Sequence, residues 1–180
     1  MMETVNFTTA GVRFSLVLGG ARSGKSALAE RMARSQAGPL FYIATAQAFD
    51  AEMAERIARH RADRGDGWTT IEAPLDLPAV LSAASGTVVI DCLTLWLSNL
   101  MLADHDIDAA SAALAAAVAA HAGPVIAVSN EVGLGIVPDN ALARRFRDAQ
   151  GRLNQRMAAM AGLVVFCAAG LPLVLKGPGR

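Results

Sequence analysis

The sequence predicts an α/β fold: a mostly parallel sheet with helices on both faces and a C-terminal strand hairpin at one edge. Two observations carry this. Short apolar, β-rich runs recur along the chain, and they are continuous rather than alternating, as strands covered on both faces are. Helical patterns fall between them, which is the order of strand–helix–strand units.

The apolar runs are Phe14 to Leu18 (FSLVL), Leu40 to Ala44 (LFYIA), Thr87 to Ile90 (TVVI), Val125 to Ser129 (VIAVS) and Leu163 to Cys167 (LVVFC). Helices are expected over Lys25 to Ser35, Asp50 to Asp63, Leu77 to Ala84, Ala109 to Ala122 and Asn140 to Met160. The alanine-rich fourth helix qualifies because alanine has the highest helix propensity and Leu114 with Val118 forms an i, i+4 apolar pair. Met157 to Leu175 carries no charge over nineteen residues, about the length of a membrane helix. Gly162, Gly170 and Pro172 interrupt it, so it reads as two short strands joined by a turn, the expected edge hairpin.

At 180 residues the chain fits one domain, 1–180, large enough to bury a core. Sixteen basic side chains balance sixteen acidic ones, so no global field draws it to nucleic acid or an anionic membrane. Any anion site must be local. Cys92 and Cys167 sit in apolar runs without metal-ligand spacing and read as buried free thiols. The N-terminus lacks the pattern of a signal peptide, and a cytoplasmic protein without a membrane span is expected.

GGARSGKS, from Gly19 to Ser26, fits G-x-x-x-x-G-K-[ST], and it lies between a predicted strand and a predicted helix. In that context the backbone of Gly19, Gly20, Ala21, Arg22, Ser23 and Gly24 and the helix N-terminus can wrap phosphates. Lys25 would neutralise the β- and γ-phosphates, and the Ser26 hydroxyl would bind Mg²⁺. The fold is therefore expected to be P-loop NTPase-like. In VVIDCLTLW a carboxylate, Asp91, ends a buried strand, where such folds hold the metal, although a strand-end carboxylate also caps helices.

LGGARSGKSALAE, YIATAQAFDAEMAERIARHRADR, WTTIEAP, VVIDCLTLWLSNL, VSNEVGLGIVPDNALARRFRDAQGRLNQRMA and GLPLVLKG, in this order, resemble one family. It is the bifunctional adenosylcobinamide kinase and adenosylcobinamide-phosphate guanylyltransferase family of cobalamin biosynthesis. The resemblance runs from about Phe14 to Gly177 and leaves 1–12 as an N-terminal extension. It implies two reactions: phosphorylation of the aminopropanol hydroxyl of adenosylcobinamide by ATP or GTP, then transfer of GMP from GTP through a guanylylated histidine. The matching residue is His60; His105 and His121 fall outside the motif.

The resemblance also implies nucleotide contacts from Thr45, Ala46 and Gln47, from Arg61, Ala62, Asp63 and Arg64, and from Glu72 and Asp91. Many relatives have Glu where this sequence has Asp91, and a bridging water would restore the reach to a metal. It further implies a homotrimer. By helical spacing Arg56, His60 and Arg64 share a face, with Met53 and Ile57 as the adjacent apolar stripe, while Arg59 and Arg61 point elsewhere. Neighbouring arginines disfavour imidazolium and so favour a neutral, nucleophilic His60. Without the resemblance, ERIARHRADRG reads as a solvated helix face.

SNEVGLGIVPDN follows a strand at the edge where α/β sheets bind ligands, and Asn130 and Glu131 are expected to face the cobinamide; the bland alternative is a turn capped by Asp139. Arg144, Arg145, Arg147, Arg152 and Arg156 spread around the following helix, as surface or subunit contacts do. Two other functions fit a phosphate loop alone: a small-molecule kinase without guanylyl transfer, and a nucleotide-binding switch.

Overall fold

The structure of the protein is a computed structural model that describes Thr9, residues 11–48 and residues 50–178; the side chains of Met53, Arg56, His60 and Asp63 also lie outside the described set. The expected 1–12 extension thus falls mostly outside the described residues.

The elements follow as β1 (Phe14–Gly19), α1 (Lys25–Arg34), β2 (Leu40–Ala44), α2 (Ala51–Arg64), β3 (Trp68–Glu72), α3 (Leu77–Ala83), β4 (Thr87–Asp91), α4 (Leu93–Leu102), α5 (Ile107–Ala120), β5 (Val125–Asn130), α6 (Ala141–Met160), β6 (Leu163–Ala168) and β7 (Leu171–Lys176). Seven strands form one sheet in the order β3-β2-β4-β5-β1-β6-β7. All neighbours are parallel except β6 and β7, which form the expected antiparallel hairpin. Every residue of β1 is buried, as a continuous apolar run between two helix layers requires.

Alternation along the strands divides the core. Leu16, Leu18, Ile43, Val88, Ile90 and Ala127 face one way and pack against Leu77, Leu81, Leu93, Trp96, Leu114 and Leu153 of the helices on that side. Val17, Tyr42, Val89, Ile126 and Val165 face the other way, against Leu28, Ala29 and Met32 of α1. The register sets Gly19 level with Asn130 and Cys167, and Ala44 level with Glu72 and Asp91. The carboxyl ends of the parallel strands therefore converge on one edge, where the loops carry the candidate residues.

Two elements depart from the sequence expectation. Leu93–Leu102 is a helix whose buried residues include Leu93, Trp96, Leu97 and Leu100; a helix packed on several sides has no polar stripe, so periodicity does not distinguish it from a strand. Trp68–Glu72 is an edge strand with only partial burial, and its two threonines break the continuous apolar run by which the buried strands are recognised. Helix α5 begins two residues earlier than expected because the Asp106 side chain accepts from the Ala109 N–H at 2.9 Å. The cap of α6 is Asn140, whose Oδ1 accepts from the Ala143 N–H at 2.7 Å, and not Asp139. Among the described residues no helix is long and apolar enough to cross a membrane.

Trp96 is fully buried and its indole Nε1 donates to the Leu75 carbonyl at 2.9 Å. Trp96→Ala is expected to cost about 3–5 kcal/mol through the cavity and the orphaned carbonyl, read as a lower urea midpoint with an unchanged slope.

Candidate nucleotide site

The phosphate loop is built by two glycines whose backbones no other residue reproduces. A Cβ on Gly19 would collide with the Cys167 carbonyl on the neighbouring strand and approach Ser23 Oγ to 2.7 Å. Gly24 caps α1 at φ 90°, in the left-handed region. The loop then turns into α1, placing Lys25 and Ser26 in its first turn, where unpaired N–H groups and the helix dipole favour an anion.

Lys25 is only 7% exposed. Its Nζ donates to the Gly20 carbonyl at 2.5 Å and approaches Ser23 Oγ at 3.4 Å, so the ammonium lies across the loop. Burial lowers its pKa; Cys92, Asp91 and Cys167 act in the opposite sense. Burial also pushes the Cys92 thiol up to about 11. At neutral pH that thiol is uncharged, which leaves Asp91 as the anion that offsets the ammonium. Both cysteines are free and buried, as expected.

Asp91 is oriented rather than loose. The Tyr42 hydroxyl donates to its Oδ2 at 2.6 Å, and Tyr42 is itself raised in pKa, first by burial and then by Asp91. Arg64 lies over the Tyr42 ring at 3.5 Å, and its carbonyl accepts from Arg34 Nη2 at 2.7 Å. The last turn of α2 is thereby fastened beside the strand that supports Asp91.

Thr45, buried after β2, uses its hydroxyl twice: it donates to the Cys92 carbonyl at 2.7 Å and accepts from the Cys92 N–H at 2.8 Å. Asn99 of α4 donates to the Thr45 carbonyl at 2.8 Å and to the Pro74 carbonyl at 3.0 Å. Thr45 therefore ties the loops after β2 and β4 together, and its hydroxyl already has partners. Ala46 and Gln47 follow it half-exposed, and Glu72 is exposed at the end of β3.

On α2 the expectation for His60 and Asp63 concerns side chains outside the described residues. Arg59 is exposed and pairs with Glu55 at 2.9 Å, Arg61 and Ala62 are exposed, and Arg64 is buried. Arg61, Arg64, Trp68 and Thr70 help line a cavity of about 350 Å³.

The loop after β5 meets the phosphate loop directly, because the Glu131 N–H donates to the Gly19 carbonyl at 3.1 Å. One Glu131 carboxylate oxygen accepts from the Gly133 N–H at 2.5 Å. Beyond it Leu134, Ile136 and Val137 are exposed, Ile136 at 97%. Arg144, Arg145, Arg152 and Arg156 are exposed on α6 and Arg147 is half-buried; His121 is buried with its Nε2 2.9 Å from the Gly86 carbonyl.

Residues 15–175 match the cobinamide kinase / cobinamide phosphate guanyltransferase family. The chain belongs to that family. It is 50% identical over 167 residues to the bifunctional adenosylcobalamin biosynthesis protein CobP of Pseudomonas aeruginosa, across 90% of this chain and 96% of that one. It is 38% identical over 179 residues to the bifunctional adenosylcobalamin biosynthesis protein CobU of Salmonella typhimurium, across 89% of this chain and 98% of the relative. In fold it is similar to a prototypical ATPase from the type III secretion system of pathogenic bacteria. That likeness has TM-score 0.54 and 12% identity, and covers 90% of this chain and 56% of the other.

Sequence reasoning missed Tyr42 and Asn99, and also Thr94 and Asn154, which bond to the main chain of Asn130; all four support the site without belonging to the phosphate-loop signature. A signal existed for Asn154: with Gln150 it forms an i, i+4 polar pair on the helix face that also carries Leu153 and Met157.

Because the folded pKa of Lys25 lies below its ordinary value, the unfolded chain binds more protons between the two. Its burial thus opposes folding at neutral pH, and that opposition fades as pH rises toward the ordinary lysine value. Lys25→Met is expected to leave the apoprotein at least as stable near pH 7 while abolishing the rise in melting temperature on adding GTP, both read by thermal denaturation.

Proposed function

We propose that the chain phosphorylates adenosylcobinamide and then converts the product to adenosylcobinamide-GDP, with one phosphate loop serving both reactions. In the first, the aminopropanol oxygen takes the γ-phosphoryl group of ATP or GTP, its proton is lost, and the nucleoside diphosphate leaves. Little covalent work falls to the protein: the loop N–H groups and Lys25 position the triphosphate and meet charge as it develops. In the second, an imidazole nitrogen of His60 attacks the α-phosphorus of GTP and pyrophosphate leaves. The phosphate of adenosylcobinamide phosphate then takes the guanylyl group and frees the histidine.

The observation that carries this reading is the Lys25 ammonium, buried across a loop of phosphate-binding geometry in a chain of this family. Thr45 to Gln47, Arg61 to Arg64 and Glu72 are proposed to border the nucleotide, Thr45 through the loops it joins. Asn130 and Glu131 are proposed to face the cobinamide, since they adjoin Gly19. Ser26 and Asp91 have the hard oxygen donors that Mg²⁺ prefers, with one Asp91 oxygen already fixed by Tyr42. The cation, when bound, would neutralise charge on the phosphate oxygens. A homotrimer in the cytoplasm completes the reading, supported by the family resemblance and checked by light scattering, where a monomer would reject it.

GTP labelled at the α-phosphate separates this reading from a kinase without guanylyl transfer. His60→Ala is expected to lose acid-labile covalent label entirely while keeping at least about a third of the kinase rate, because it touches only the second step. Lys25→Ala should lose both. Covalent label persisting in His60→Ala would remove the histidine from the mechanism.

A further inference from the structure

The peptide between the phosphate loop and the proposed acceptor side is held from two helices. The Asn130 N–H donates to Thr94 Oγ1 of α4 at 2.7 Å, and the Asn130 carbonyl accepts from Asn154 Nδ2 of α6 at 3.1 Å. On the far side of that carbonyl, the Glu131 N–H donates to Gly19. Asn130 is thus clamped at both of its main-chain polar groups, beside the loop that receives the phosphates.

The orientation of Asn154 is fixed by its own neighbours. Its Oδ1 accepts from Ser129 Oγ at 2.7 Å and from Gln150 Nε2 at 3.0 Å, and Gln150 also donates to Ser129 at 2.8 Å. With two donors on its oxygen, the amide has only its NH₂ left for the Asn130 carbonyl. Ser129, Gln150 and Asn154 are all buried. Burying three polar side chains costs more than burying apolar ones of the same size unless the bonds are met, so the cluster specifies a position rather than adding bulk stability.

We propose that Asn154, with Thr94, is a positioning residue that sets the Asn130–Glu131 segment against the phosphate loop and thereby governs affinity for the corrinoid acceptor. This rests on the reading that Asn130 and Glu131 face the acceptor. Asn154 and Thr94 are both buried and bonded to the main chain of Asn130, so each would act through it. Of the loop proposed to hold the nucleotide, Gly19 is joined to this segment through the Glu131 N–H, while Lys25 bonds within the loop, to Gly20 and Ser23, so the effect should fall more on the acceptor than on the nucleotide.

Asn154→Asp keeps an oxygen for Ser129 and Gln150 but has no N–H for the Asn130 carbonyl. Thr94→Val removes the acceptor of the Asn130 N–H, and Thr94→Ser restores it. Initial rates of the kinase step are measured against adenosylcobinamide, and GTP affinity is measured by calorimetry. Asn154→Asp and Thr94→Val are each expected to raise KM for adenosylcobinamide about tenfold, with kcat and GTP affinity within about twofold and Thr94→Ser at the wild-type value. A wild-type KM in both variants, or loss of both affinities in both, would overturn the proposal, the latter because it marks a purely structural role. If only one variant fails to fold, the other decides. Glu131→Ala separates the two levels: an unchanged KM there refutes the acceptor-facing reading itself. A raised KM there, with wild-type values in Asn154→Asp and Thr94→Val, refutes only the positioning role.

Discussion

A lysine ammonium taken almost wholly out of water is the constraint around which the site is arranged. Solvent no longer supplies its counter-charge, so the protein provides oxygen: the Gly20 carbonyl, the Ser23 hydroxyl and the nearby Asp91 carboxylate. That arrangement is unfavourable to the apoprotein and well suited to phosphates, whose oxygens match the charge better than one carbonyl does. It also explains why Gly19 and Gly24 admit no side chain, since the loop must wrap tightly enough for N–H groups and ammonium to converge.

The rest of the molecule keeps that convergence in place. Parallel pairing of β1 with β5 and β6 sets Gly19 level with Asn130 and Cys167, and β4 sets Asp91 within electrostatic reach of Lys25. Buried polar side chains then join the loops: Tyr42 to Asp91, Thr45 to Cys92, and Asn99 to the carbonyls of Thr45 and Pro74. Each bond links segments distant in sequence, which is where a sheet of separate crossovers would otherwise be loosest. The loop beyond Glu131 is the exception, with Leu134, Ile136 and Val137 left exposed.

Much of this is legible in the sequence, and the pattern of what is not follows from range. The phosphate loop is contiguous, so eight residues between a strand and a helix disclose it. Strands β1, β2, β4, β5 and β6 were legible because burial on both faces leaves unbroken apolar runs. Helix α4 was hidden by that same continuity, and edge strand β3 by its absence. Asp139 lost the cap of α6 to Asn140 because capping depends on the backbone angle of one residue, which composition does not reveal. The role of Thr45 as a tie between loops and that of Asn154 as a clamp depend on partners 47 and 24 residues away. The proposed role of His60 rests on the family resemblance alone; spacing describes it as one residue of a charged helix.

The central claim is that one phosphate loop serves both reactions, and it is tested most directly with a non-hydrolysable ATP analogue. The analogue should inhibit phosphorylation of adenosylcobinamide and covalent guanylylation of the protein by α-labelled GTP with a common inhibition constant, each corrected for its own substrate. Guanylylation that continues undiminished when the analogue has stopped the kinase step would place the two nucleotides in separate sites and contradict the claim.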